Sequence, residues 1–476
     1  MQKVKEYKWY ILLPVVLLAF TLFTGFNGLY GQDSYEYLRY TKCLGEFIRH
    51  GTNPGDFFWP LFYPICGVIL ALVCSPIFAL QLISILAFTG TVIYVRKLII
   101  ELYKPAENAV DLFVLLALVL SPYMLRASMV VMSDSLCTFF VTAAFYHFIK
   151  YKRGIETKHL VWFAFCALAA VNTRYGAFVL LITPSVIIAY TFFKNFKIKP
   201  FLLALVIVLA LILPHLLLRS KDPLAFINHD WLVDWSFTNC FKSKFTNANG
   251  YAHYALPNVV YVFYNFFHPD FCFAGLILGI CTILNFRKNR VADIGVICIS
   301  ILLYALFIAG TPLQNLRFLQ LSFPLVALLL FAGYTELYSR HNWFKKPFVI
   351  GVYSIVMFIQ LAAFSHAFLS FYEDNQTEKR VAQAVLKHPG IPIYTFSING
   401  ALEAYGVQNR LIELYNIKLD STNIIKGPKL VLFNEDQLYQ GNIPPIVIAN
   451  YEYLRTHYKQ SAAEDIKGGW SLYRAE

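Results

Sequence analysis

Apolar runs of bilayer length recur from residue 9 to about residue 370, and every second gap between them holds a cluster of lysines and arginines. Few folds fit that pattern. A helix needs about 20 apolar residues to cross a hydrocarbon core, and a chain that crosses repeatedly keeps its basic gaps on the cytoplasmic side. Crossings are expected near residues 9–26, 77–95, 109–125, 135–149, 159–173, 176–193, 200–218, 258–286, 291–309, 318–338 and 347–370. With these crossings, Lys3, Lys5, Lys8, Arg96, Lys97, Lys150 to Arg153, Lys194 to Lys199, Arg287 to Arg290 and Arg340 to Lys346 share one side. A further apolar stretch, 60–73, breaks the alternation if it crosses alone, so it is expected to be re-entrant, interfacial or half of a hairpin. The N-terminus is then inside, retained as a first span because no small-residue cleavage site follows the run. The C-terminus is outside.

Composition supports the same class. Hydrophobic residues make up 58% of the 476 and charged residues 14%, too little polar surface to cover a soluble globule of this size. A net charge of +12 raises nucleic acid as a partner, but the basic residues sit between apolar runs, where they set topology, and nucleic acid is discounted. The nine cysteines lie mostly inside apolar runs without metal-site or disulfide spacing, and read as small buried hydrophobes.

After about residue 371 the composition becomes mixed. The expected architecture is an all-α polytopic membrane domain, residues 1–371, with about 11 full crossings plus the re-entrant or interfacial segment. Its main outer loops are 27–59 and 219–257, and a small α/β or α+β soluble domain, residues 372–476, follows on the outer side. Strands are predicted at 391–396, 429–433, 445–449 and 470–474, with helices at 377–386 and 451–459.

The first outer loop contains Asp33, after which Tyr37, Tyr40, Leu44, Phe47 and Ile48 recur at helical spacing opposite Glu36, Arg39, Glu46 and Arg49. That is an amphipathic helix on the outer surface. Asp33 at its start is where a lipid headgroup and a water-soluble acceptor meet; alternatively, with Glu36 three residues on, it forms a capping box and only satisfies helix N–H groups.

Four arginines, Arg126, Arg174, Arg219 and Arg317, fall at outer ends of crossings, against the prevailing bias. As a set they suggest an anion site, because guanidinium binds phosphate by a planar, charge-assisted fork. Singly, each reads as snorkelling or as pairing with an acid such as Asp134, itself a second outer acid or a helix cap. His215, His229, His253 and His268, with Asp230 and Asp270, match no metal motif, and solvated loop histidines are preferred over a divalent ion bridging a phosphate. The aromatic run Tyr261, Phe263, Tyr264, Phe266 and Phe267 reads as packing or interface anchoring, with an aromatic sugar platform as the alternative.

The order of short motifs resembles the GT-C superfamily of membrane glycosyltransferases, especially the bacterial relatives of protein O-mannosyltransferases and of the lipid A aminoarabinose transferase. The motifs are Asp33 after the first span, Pro60-Leu61-Phe62-Tyr63-Pro64, the turn from Arg126 to Asp134, Thr173-Arg174-Tyr175-Gly176, and Arg317-Phe318-Leu319 leading to Pro324. The resemblance implies a glycosyltransferase of the hexosyl or pentosyl class in the cytoplasmic membrane of a bacterial cell envelope. Its donor is a sugar on polyprenyl phosphate and its acceptor a hydroxyl of a protein, glycan or lipid. It gives Asp33 the role of catalytic base in an inverting transfer, with Asp134 in support, Arg126, Arg174 and Arg317 on the donor phosphate, and Tyr37 and Tyr175 as substrate contacts. Ser34 stands where the family commonly has a second adjacent acid, so a mechanism with two neighbouring carboxylates does not carry over. Two other classes use the same outer charges: a lipid-linked glycan polymerase or ligase, and a transporter of an anionic substrate.

Overall fold

A computed structural model describes residues 8–219, 230–247, 250–285, 293–340, 347–415, 417–419, 427–436, 444–466 and 468–475. The molecule is mostly helical, with several apolar helices and a small C-terminal sheet. Among the described residues, four helices are long and apolar enough to cross a bilayer, Pro76–Tyr103, Ala177–Lys194, Ile198–Leu218 and Ile350–Leu386, and a bent pair, Glu107–Val119 with Pro122–Ser128, makes a fifth if it counts as one span. Shorter apolar helices include Tyr10–Thr24, Thr157–Val171, Ile294–Ala309 and Phe323–Tyr338. The Ile198–Leu218 helix exposes leucines and valines on nearly every face, as a helix solvated by lipid does.

Two local readings are corrected, those of 258–286 and 445–449. The run 258–286 is broken into helices Asn258–Tyr261, Tyr264–Phe267 and Gly275–Leu284. Its middle carries His268-Pro269-Asp270, and a proline removes a donor and disfavours helix in the residue before it. The stretch 60–73 contains one helix, Phe62–Leu70, only 9 residues long. At 1.5 Å per residue it reaches about 14 Å, short of the roughly 30 Å core. Residues 445–449 open a helix, Pro445–His457, in place of the expected strand.

The helix that Asp134 opens packs on two neighbours. Asp134–Gly154 lies against both Thr157–Val171 and Pro76–Tyr103. At the opposite end the basic cluster is neutralised: Lys152 and Arg153 each reach Asp293 at 2.8 Å, and Arg153 also reaches Glu101 at 2.8 Å. The Pro347–Leu386 helix spans 40 residues and runs straight through the expected 371/372 boundary. Beyond it lies a five-stranded sheet in the order 411–413, 393–395, 429–434, 470–475, 460–466, parallel among the first three strands and antiparallel among the rest. The strands Leu411–Glu413 and Gln460–Ile466 were not anticipated.

Candidate functional site

Asp33 sits in the first turn of the Gly31–His50 helix, two residues past its start, and the helix N-cap is Tyr30. The capping reading of Asp33 therefore does not hold, and Glu36 is turned instead to Arg39 at 2.9 Å. The Asp33 carboxylate accepts a hydrogen bond from Arg317 Nη1 at 2.7 Å. The second nitrogen of that fork, Nη2, donates to Asp134 Oδ2 at 3.0 Å, while Asp134 Oδ1 accepts from Arg174 Nη1. Two carboxylates and two guanidiniums thus form one chain, Asp33, Arg317, Asp134, Arg174.

Local sequence explains how each member is presented. Arg317 lies in the Leu316–Gln320 helix, whose N-cap Asn315 accepts from the Arg317 backbone N–H at 3.0 Å. Asp134 opens its helix just after Ser133, and the Ser133 hydroxyl shares a 2.7 Å hydrogen bond with Tyr37. Arg174 follows the Thr157–Val171 helix in a turn that also anchors the Pro60 segment, since Phe62 N–H donates to the Asn172 carbonyl at 3.0 Å. Exposure separates the two acids: the side chain of Asp134 is 3% exposed and that of Asp33 26%.

A cavity enclosing about 1020 Å³, part of it open to solvent, adjoins this chain of charges. Asp33, Arg174 and Arg317 lie in its wall together with Tyr37 and Tyr175. Most of the remaining lining is aromatic or aliphatic, including Trp59, Tyr304, Phe307 and Phe318. Such a wall suits the apolar faces of a sugar ring or an isoprenoid chain beside a charged group.

The other outer arginines are elsewhere. Arg219 donates to the backbone carbonyls of Phe57 and Trp59, the latter at 2.6 Å, and to the Tyr175 hydroxyl at 2.9 Å, so it straps the Phe58-Trp59-Pro60 wall. Arg126 is stacked between the rings of Tyr123 and Phe371, at 4.9 and 4.5 Å from their centroids, and does not line the cavity. The fork chemistry that nominated it gives way to cation–π packing. Of the histidine group, His229 and the side chain of Asp230 lie outside the described residues, and His268 stands 3.9 Å from Asp270. Among the described residues, no three His, Cys, Asp or Glu side chains converge as a metal-holding set.

Sequence reasoning missed Trp59, Tyr304 and Phe318, because an aromatic in an apolar run carries no mark of which way it points.

A sequence profile of the Alg9-like mannosyltransferase family matches residues 26–388. No curated protein matches the sequence significantly. Among solved structures, ArnT from Cupriavidus metallidurans bound to undecaprenyl phosphate aligns with a TM-score of 0.63 at 11% identity, covering 98% of this chain and 98% of that one. The apo state of the same protein gives 0.61 at 11% identity over 97% of each chain. The apo oligosaccharyltransferase of Archaeoglobus fulgidus gives 0.50 at 13% identity, over 86% of this chain and 65% of that one. At these identities the likeness is one of fold.

Proposed function

Since the chain belongs to the Alg9-like mannosyltransferase family, and so to the GT-C membrane glycosyltransferases, we propose that it moves a sugar from polyprenyl phosphate to an acceptor hydroxyl on the outer face of the membrane. The observation that carries this reading is the placement of Asp33, Arg174 and Arg317 in the wall of one largely apolar cavity. The undecaprenyl phosphate in the ArnT structure supports a donor of that lipid class, and the family supports a hexose.

In the proposed step the acceptor oxygen attacks the anomeric carbon from the face opposite the phosphate, and its proton passes to Asp33. The bond from carbon to phosphate oxygen breaks, and polyprenyl phosphate leaves with the electron pair while Arg174 and Arg317 stabilise its charge. Configuration at that carbon inverts. Asp33 is the better base than Asp134 because it is reachable, whereas Asp134 is sealed and engaged by two arginines. The C-terminal sheet region, from about residue 372, would lie on the same side and present the acceptor.

The test is incubation of purified protein with polyprenyl phosphate carrying a labelled hexose or pentose, together with membrane extracts as the acceptor source. Release of polyprenyl phosphate with label in a new product is the expected result. Movement of intact donor across liposomes without bond cleavage would replace transfer with transport.

A further inference from the structure

The two acids of the site stand on different chain segments, 26–33 and 129–134, and a single side chain outside the cavity is bonded to both. Gln81 lies near the outer end of the Pro76–Tyr103 helix and is 4% exposed. Its Nε2 donates to the Phe26 carbonyl at 3.2 Å and to the Met129 carbonyl at 3.0 Å. Both amide hydrogens are therefore spent on the two segments. Beside this bridge the segments bond directly, Val131 N–H to the Gly28 carbonyl at 2.7 Å. Gly28 has φ +81°, and a Cβ there would stand 2.8 Å from the Met129 carbonyl and 3.0 Å from Gln81 Nε2, so only glycine lets the segments approach this closely. One turn further along the same helix, Ser84 donates to the Met132 carbonyl at 3.2 Å.

We propose that Gln81 is a positioning residue that fixes the spacing between Asp33 and Asp134 and so lets one arginine fork span them. The proposal rests on the transfer chemistry assigned to Asp33. The physical argument is that a guanidinium fork has a fixed reach. Arg317 meets Asp33 at 2.7 Å and Asp134 at 3.0 Å, and that double contact survives only while the two acids keep their separation. Two buried carbonyls lose their partner if the amide is removed, and each is driven toward another donor or toward water. The segments then drift apart without any cavity residue having changed.

The experiment uses the full chain in detergent, with Gln81→Met as the near-isosteric variant lacking donors and Gly28→Ala as a second variant that wedges the same seam. Two readouts are taken: steady-state transfer from a polyprenyl-phosphate sugar, and backbone amide exchange resolved by peptide. The expected result is faster exchange in 26–32 and 129–134 together, with kcat lowered roughly ten- to a hundredfold and the donor KM nearly unchanged. Unchanged exchange in both segments would overturn the bridge. Loosened segments with wild-type turnover would overturn its link to catalysis, as would loss of activity that only follows general loss of folded protein or a raised KM. If Gln81→Met does not fold, Gly28→Ala is read by the same criteria. Asp33→Asn is measured alongside: full activity there would remove the acid chemistry, while the exchange data would still report on the bridge itself.

Discussion

Asp33 and Asp134 carry the same carboxylate and differ in who can reach it. Asp134 is enclosed and holds two guanidiniums, so its charge organises the site; Asp33 shares one guanidinium and keeps an open side toward the cavity. Asp33→Asn should retain folding, because the residue is not a helix cap, and should lower transfer by roughly 10² to 10⁴ fold with donor binding largely kept. Equal turnover at equal thermal stability would dismiss Asp33 as the base. Arg317→Lys keeps the charge but cannot reproduce a fork with one nitrogen on each acid, and Arg174→Lys loses the planar partner of Asp134. Weaker donor binding is expected in both, measured by displacement of a labelled polyprenyl phosphate from folded protein; wild-type affinity in both would take them out of the phosphate site. Asp134→Ala is expected to be a folding lesion, since it takes from Arg174 its carboxylate partner and leaves Arg317 only Asp33, at a cost of about 3–5 kcal/mol, readable as a lower Tm. At this scale the sequence marks Asp33, Asp134, Arg174 and Arg317 through charge at outer helix ends, and these four meet. It marks Arg126 and Arg219 by the same sign, yet sidedness gives depth in the bilayer and not direction around the helix, and both point to packing partners.

The Pro347–Leu386 helix, 40 residues long, extends about 60 Å, twice the hydrocarbon thickness. Its apolar part ends near Tyr372, and the following turns carry Glu373, Asp374, Asn375 and Glu378. Those turns grip the segment that carries Asp33. Phe371 stacks on Tyr30 with ring centroids 3.7 Å apart, Asn375 Nδ2 donates to the Leu29 carbonyl at 2.9 Å, and Glu378 accepts from the Tyr35 hydroxyl. Burial pushes the Glu378 carboxyl from 4.5 up to about 7, with Tyr35 pulling it down and Asp374 adding to the rise; Tyr405 is the other titratable group at this junction. A raised carboxyl value means the folded state binds the proton more tightly. Its stabilising contribution is complete below 4.5 and is lost as the pH rises through about 7. Glu378→Gln keeps an acceptor for Tyr35 and has no charge to bury, so its Tm should change less than that of wild type between pH 5 and 8. Parallel Tm profiles for the two proteins would show that this carboxyl is not held neutral. Element boundaries were legible where period and length agree and failed where two signals compete. The run Ile446, Val447, Ile448 reads as a strand by its β-branched residues, but Pro444-Pro445 fixes a helical start and the helix follows.

Across the whole molecule, charge alternation and contacts constrain the same quantity by independent routes. The alternation of basic gaps puts the first outer loop and the C-terminus on one side, opposite the lysines and arginines. The fold requires the same pairing, since residues 375 and 378 bond to residues 29 and 35, and groups on opposite sides of a bilayer cannot touch. Sidedness of the C-terminal sheet is therefore sidedness of Asp33. The count of crossings was less legible, because helices broken at Pro269 or bent by 70° between Val119 and Pro122 leave no clean tally of apolar runs. A reporter active only in the cytoplasm, fused after Glu476, should be silent, and the same reporter inserted in the basic gap 341–346 should be active. Activity at Glu476 with silence at 341–346 would invert the molecule and place Asp33, the arginines and the cavity on the cytoplasmic side. A sugar nucleotide in water would then reach the cavity directly, and the case for a lipid-linked donor would lose its basis.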